Sequence, residues 1–97
     1  MSGGLEGFYF DWDNDNETHA RRHGLTPAIA AAVAEGDPKF FINEEGMTGS
    51  HIMIGPDESH QFWTIILLDL GKECWRPITG WPSSNEEIET YLQEGAP

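Results

Sequence analysis

The sequence predicts an α+β fold, in which helices pack on one face of a small antiparallel sheet of three to five strands. The first observation behind this prediction is the length, since 97 residues suffice for one hydrophobic core but not comfortably for two. The second is the order of the predicted elements, β-α-α-β-β-β-β-α. The third is the shortness of the connections between strands, which favours antiparallel pairing over parallel crossovers. We therefore expect residues 1–97 to form a single domain.

The N-terminal third predicts one strand and two helices. Aromatic side chains dominate residues 8–12, as is typical of a strand with one buried face. Asp13 and its neighbours can cap a helix, which we expect to run through about His23 before Gly24 ends it. Residues 26–27 then offer a threonine cap and a first-turn proline ahead of an alanine-rich segment. This arrangement predicts a second helix.

The rest of the chain predicts a run of strands and a closing helix. The strands are predicted at residues 39–42, 51–54, 61–70 and 74–79. The third of these four has the strongest strand signal and should be central in the sheet. Pro77 cannot donate a backbone hydrogen bond, which favours an edge or a bulge at this point. Turns are expected at residues 44–46 and 71–72, and the serine and glutamate pattern of residues 83–87 predicts the start of the last helix.

The composition is strongly acidic and restricts the classes of partner. Seventeen Asp and Glu residues against five Lys and Arg residues give a net charge of −12, which repels phosphate backbones and steers basic partners towards the protein. We expect no secretory leader, because residues 1–7 are Gly-rich and carry only an acidic charge. We also expect no membrane helix, because the longest apolar run, residues 62–70, is too short. The lone Cys74 excludes an intrachain disulfide. These features predict a cytoplasmic protein.

Polar residues of the first predicted helix are candidates for a catalytic site. Asn16, His19 and either Arg22 or His23 fall along one stripe of that helix. A histidine can transfer protons near neutral pH and an arginine can hold a phosphate, as RNA cleavage without a metal requires. The alternative is structural, with the Asn and His side chains closing the helix and Arg22 paired with nearby acids. No third metal ligand accompanies His19 and His23, so we expect neither a metal nor a cofactor.

Arg76 is a second candidate, because it lies in a predicted strand of apolar neighbours. An unpaired guanidinium is costly to bury there, so the side chain should either face a cleft or pair with a carboxylate. Trp63, Trp75 and Trp81 have no basic residues interleaved among them. We therefore expect the tryptophans to lie in the core or on an apolar partner surface, in preference to stacking on bases.

Two segments, one near each end of the chain, carry a recognisable motif. The first contains Trp12-Asp13, Asn16, His19 and Arg22-His23-Gly24. The second contains Arg76-Pro77-Ile78-Thr79, Ser84, Glu87 and Tyr91. Together they resemble the BrnT family of toxins. The resemblance implies a compact RelE-like ribonuclease of a toxin–antitoxin pair, neutralised by an antitoxin, with site residues at His19, Arg22, His23 and Arg76. Toxins of this family are usually basic, whereas the closing segment of this chain is neutral or acidic.

Two main hypotheses for function follow. The first is a metal-independent endoribonuclease of a toxin–antitoxin pair, although the net charge disfavours RNA. The second is a non-catalytic, acidic protein-binding module on the same scaffold, as in a degenerate family member. The expected partner is a cognate antitoxin or another basic protein, and the sequence leaves a homodimer open. A third, weaker hypothesis is a mimic of DNA, which would require carboxylates spaced like phosphates.

Overall fold

The computed structural model describes residues 9–44 and 49–94 of the chain. The helices are α1 (Asn14–Arg21), α2 (Pro27–Glu35) and α3 (Asn85–Glu94). The strands are β1 (Tyr9–Phe10), β2 (Lys39–Ile42), β3 (His51–Pro56), β4 (Phe62–Gly71) and β5 (Cys74–Pro82). The predicted α+β class and element order are therefore confirmed. Residue 8 of the predicted first strand and residues 45–46 of the predicted turn lie outside the described residues.

The strands form one sheet in the order β1-β5-β4-β3-β2. Strand β4 lies in the middle, as its strong apolar signal predicted. The pairs β2–β3, β3–β4 and β4–β5 are antiparallel, whereas β1 runs parallel to β5. The sheet is therefore mixed, not wholly antiparallel. Strands β1 and β5 are not joined by a short connection, because most of the chain lies between them. Their pairing can therefore be parallel.

The helices lie on both faces of the sheet, which corrects the expectation that they share one face. The core face carries Met53, Ile65 and Leu67, all fully buried, and it packs against residues of α1 and α2. Helix α3 contacts the other face, since the Glu87 carboxylate accepts a hydrogen bond from Thr64 Oγ1 at 3.0 Å. Successive side chains of a strand point to opposite faces, so a contact at position 64 lies opposite the core residue at position 65.

Tyr91 attaches α3 to the second face of the sheet. The Tyr91 ring of α3 packs edge-on against Phe62, with ring centroids 5.2 Å apart. The Tyr91 hydroxyl donates to the backbone oxygen of Asp37 at 2.6 Å, and the Lys39 ammonium lies 4.4 Å from the Tyr91 ring centroid. These contacts hold α3 near the start of β2.

A bulge accommodates the proline of β5. Pro77 lies opposite Leu67 and Thr79 lies opposite Ile66, which leaves Ile78 without a partner in the register. An extra residue of this kind interrupts the regular pairing directly beside the proline, which has no N–H to donate. Of the two settings that Pro77 favoured, an edge or a bulge, the structure contains the bulge.

A two-residue turn joins β4 to β5. Lys72 and Glu73 have φ angles of 56° and 65°, in the left-handed region that hairpin turns of this length use. The sequence placed the turn one residue earlier, at Gly71 and Lys72. Gly71 also has a positive φ, of 87°, but it pairs with Cys74 at the end of the sheet.

Candidate functional site

The start of α1 is fastened to β5 by Asn16. Asp13 caps the helix and accepts a hydrogen bond from the Asn16 backbone at 3.0 Å, while Asn16 Oδ1 accepts one from the Asp13 backbone at 2.7 Å. The Asn16 amide nitrogen also donates to the backbone oxygens of Pro77 at 2.8 Å and Asp11 at 2.9 Å. Asn16 is buried, so it positions the helix and does not face solvent.

Arg76 of β5 is held by two carboxylates beside the start of α1. Its Nη1 lies 3.2 Å from Asp11 Oδ2 and its Nη2 lies 2.9 Å from Asp13 Oδ2. The Arg76 side chain is 24% exposed, which means that most of it is removed from solvent. Of the two arrangements that the sequence left open, the structure contains the ion pair with carboxylates.

Hydrogen bonds and ion pairs favour the charged forms of Arg76 and Asp13. A side-chain hydrogen bond with Asp13 is the main cause that raises the pKa of Arg76, with a further contribution from Asp11 and an opposing one from burial. The backbone hydrogen bond from Asn16 is the main cause that lowers the pKa of Asp13, and Arg76 lowers it further. Two anions surround one cation, so the cluster as a whole is negative.

The other three predicted site residues lie at the opposite end of α1. The helix ends at Arg21, two residues earlier than expected, and Arg22 is its C-cap. His19, Arg22 and His23 are all exposed. With a rise of about 1.5 Å per residue, the C-cap lies roughly 13 Å along the helix from the Asp13 cap that binds Arg76. Within residues 9–44 and 49–94, no hydrogen bond or ion pair joins the three side chains to Arg76.

A groove lies on the second face of the sheet. It has a volume of about 590 Å³. Strands β2 to β5 form its floor and α3 forms one wall. The lining residues are Phe41, Ile42, Asn43, Glu44, Ile52, Ile54, Thr64, Ile66, Thr79, Trp81, Glu87 and Thr90.

A carboxylate is fixed in the wall of this groove. Trp81 Nε1 donates to both oxygens of Glu87, at 3.1 and 3.2 Å, and Thr64 Oγ1 donates to Oε1. The Ser84 backbone N–H donates to the same carboxylate at 2.8 Å, and the Glu87 N–H donates back to Ser84 Oγ. This reciprocal pair is the capping box that the serine and glutamate pattern predicted. The sequence did not reveal the groove.

The signals that point to the groove are visible in the sequence only in retrospect. Strand β3 carries isoleucine at positions 52 and 54, which face away from the core residue Met53. Apolar residues on both sides of a strand indicate that each face of the sheet is covered by another part of the protein or binds a ligand. The partners of Arg76 could also have been found, since Asp11 and Asp13 flank Trp12 just beyond β1.

The described residues contain no cluster of His, Cys, Asp and Glu arranged to hold a metal ion. None of their helices is both long and apolar enough to cross a membrane.

The fold and its surface define a small α+β protein with helices on both faces of a mixed sheet, an acidic cluster around Arg76 and an apolar groove. Searches of family models, curated proteins and solved structures gave no match to the chain.

Proposed function

We propose that this chain is a BrnT-like protein that acts as a non-catalytic, acidic binding module for a basic protein, such as an antitoxin. The observation that carries the proposal is the double ion pair of Arg76 with Asp11 and Asp13. A cation that binds RNA needs free donors for phosphate oxygens. Here the Arg76 guanidinium donates to two carboxylates instead, and these carboxylates would also repel an approaching phosphate.

The charge of the whole chain favours the same function. With a net charge of −12, long-range attraction speeds encounter with a basic partner and slows encounter with nucleic acid. Neutralising phosphate charges also requires Lys or Arg side chains, of which the chain has five. One of the chain's three arginines is paired internally at β5, and Arg21 pairs with Glu17 at 3.2 Å.

Capture of partners from native cells, followed by elution with increasing salt, tests this proposal. We expect a basic protein to be retained at low salt and released as salt screens the charges. The variant Arg76→Gln serves as a control, because it removes the paired cation and leaves the chain more acidic. Retention of RNA in place of protein, or retention of no protein at any salt concentration, would contradict the proposal.

A second candidate function is the metal-independent endoribonuclease. The observation in its favour is that His19, Arg22 and His23 are exposed within one turn at the end of α1. In this hypothesis His19 or His23 acts as the acid or base, while Arg22 and Arg76 stabilise the charge that develops on phosphorus oxygens.

Incubation of the purified protein with end-labelled RNA at low salt tests the second candidate. Cleavage should be lost in Arg22→Ala and in at least one of His19→Ala and His23→Ala. It should be retained in Arg21→Ala, a matched control on the same helix. The double variant Asp11→Asn/Asp13→Asn should cleave faster, because it frees the Arg76 guanidinium while asparagine still caps the helix. RNA left intact by the wild type and by this double variant would exclude the ribonuclease.

A further inference from the structure

We propose that the groove between α3 and the second face of the sheet docks an extended segment of the partner, one that carries aliphatic side chains beside lysine or arginine. This inference rests on the proposed binding function and assigns it a location and a ligand chemistry. The acidic cluster around Arg76 lies apart from it, since none of Asp11, Asp13 and Arg76 lines the groove.

The floor of the groove provides the apolar part of the recognition. Ile52, Ile54 and Ile66 project from neighbouring strands, and Trp81 lies beside them on β5. Ile42, at the rim, is 65% exposed. A volume of about 590 Å³ is within the usual range of ligand sites and admits several side chains. Ile54 and Ile66 are already buried, at 3% and 8% exposure. A ligand would therefore remove apolar area from water mainly at Ile42, Ile52 and Trp81, which are exposed or half-buried.

The wall of the groove provides the charge. Glu87 accepts hydrogen bonds from Trp81, Thr64 and Ser84, which fix its orientation. All three donors are neutral, so they leave the negative charge uncompensated, and no ion pair to Glu87 occurs in the part of the chain that the structure describes. Glu44 adds a second carboxylate. An ammonium or guanidinium group would therefore meet a carboxylate that is already oriented.

Among the residues that the structure describes, no basic side chain lines the groove. The lining contains neither lysine nor arginine. The nearest basic residue along β2 is Lys39, and its ammonium lies over the Tyr91 ring. The groove thus combines an apolar floor with an unneutralised anionic wall, and the complementary ligand is both apolar and cationic.

The same charges decide against two other occupants. A second copy of this chain would bring another −12 and place the two Glu87 carboxylates on facing surfaces, where like charges repel. A nucleic acid would meet the carboxylates with its phosphates. A basic protein segment is the occupant that the electrostatics favour.

Titration of the full chain with a synthetic peptide tests the inference. The probe is an acetylated heptapeptide of alternating lysine and isoleucine, and binding is followed by calorimetry and by tryptophan fluorescence, since Trp81 lies in the groove. One reference peptide replaces lysine with glutamine, and another replaces isoleucine with serine. We expect both reference peptides to bind more weakly than the probe.

Matched variants locate the binding surface. Glu87→Gln removes the charge but keeps a residue that fits a capping box. It should weaken binding by about tenfold, because one charge-assisted contact is lost. Glu86→Gln makes the same change one residue away, outside the groove, and should bind like the wild type. Ile52→Ala should weaken binding several-fold, whereas Leu92→Ala, on the exposed side of α3, should not.

The outcomes separate this inference from the proposed function. If the probe fails to bind, or binds Glu87→Gln and Glu86→Gln equally, the groove is not the docking surface. The proposed function then still stands if native cells yield a basic partner in the capture experiment. Dimerisation of the wild type that Ile52→Ala abolishes would overturn the inference in favour of a second copy.

Discussion

The replacement Asn16→Ala should reveal how strongly the junction between α1 and β5 stabilises the fold. The Asn16 side chain makes three hydrogen bonds to backbone groups, namely the N–H of Asp13 and the oxygens of Asp11 and Pro77. Alanine removes all three and leaves their partners to find new ones. The bond to Pro77 is buried, so water does not easily replace it.

The expected magnitude follows from these three bonds. A typical buried hydrogen bond contributes about 1 kcal/mol net, which predicts a loss of about 3 kcal/mol in the free energy of unfolding. That is a large part of the roughly 5–15 kcal/mol by which small domains are stable. In urea the unfolding midpoint should fall by roughly 1–3 M.

Urea unfolding followed by tryptophan fluorescence measures this loss. Asn14→Ala is the matched control, because Asn14 lies in the same first turn but is exposed. Asn16→Asp should be at least as unstable as Asn16→Ala at neutral pH, since a carboxylate cannot donate to the two backbone oxygens. A loss below about 1 kcal/mol for Asn16→Ala, equal to that of the control, would refute the proposed role.

Three further predictions concern the packing, the hairpin and the pH dependence of stability. Gly80→Ala should lower the free energy of unfolding by about 1–3 kcal/mol, measured by calorimetry, because its methyl group would lie 2.6 Å from Leu25 Cδ2. Glu73→Gly should stabilise the fold by about 1 kcal/mol, because glycine adopts the positive φ of the turn without strain. The melting temperature should then rise by roughly 4–8 °C, and an unchanged melting temperature would contradict this. Burial tends to raise the pKa of Asp57, but hydrogen bonds from Trp63 and two backbone amides lower it below 3.8 overall. The carboxylate therefore stabilises the fold above that value, and its contribution is lost as the pH falls through the lower folded pKa. The difference in the free energy of unfolding between the wild type and Asp57→Asn should therefore shrink in acid. Urea unfolding at several pH values measures this difference, and a value that does not change with pH would contradict the prediction.

Local patterns in the sequence were sufficient to predict most elements of the fold. The Thr26-Pro27 start of α2, the capping box of α3 and the bulge at Pro77 each depend on chemistry between residues that are close in the chain. The β-branched and aromatic residues of β4, with few polar interruptions, likewise indicated a central strand. Such features need no knowledge of distant contacts, because propensity and capping act over a few residues.

The candidate site was less predictable, because its partners are distant in the sequence. The residue type and apolar setting of Arg76 indicated that it needed a partner, but Asp11 lies 65 residues away and only the pairing of β1 with β5 brings the two together. The helix stripe predicted that Asn16 and His19 would face the same way. In the structure Asn16 is buried against Pro77, whereas His19 is exposed.

By itself, the sequence determined the class of fold, the order of its elements, the acidic charge and the presence of an arginine that could not be buried alone. Only the tertiary structure decided that β1 pairs parallel with β5, that α3 packs on the opposite face from α1 and α2, and that a groove with a fixed Glu87 lies beside it. The physical reason is that local preferences select helices and strands, whereas the contacts of a surface depend on which distant segments fold against each other.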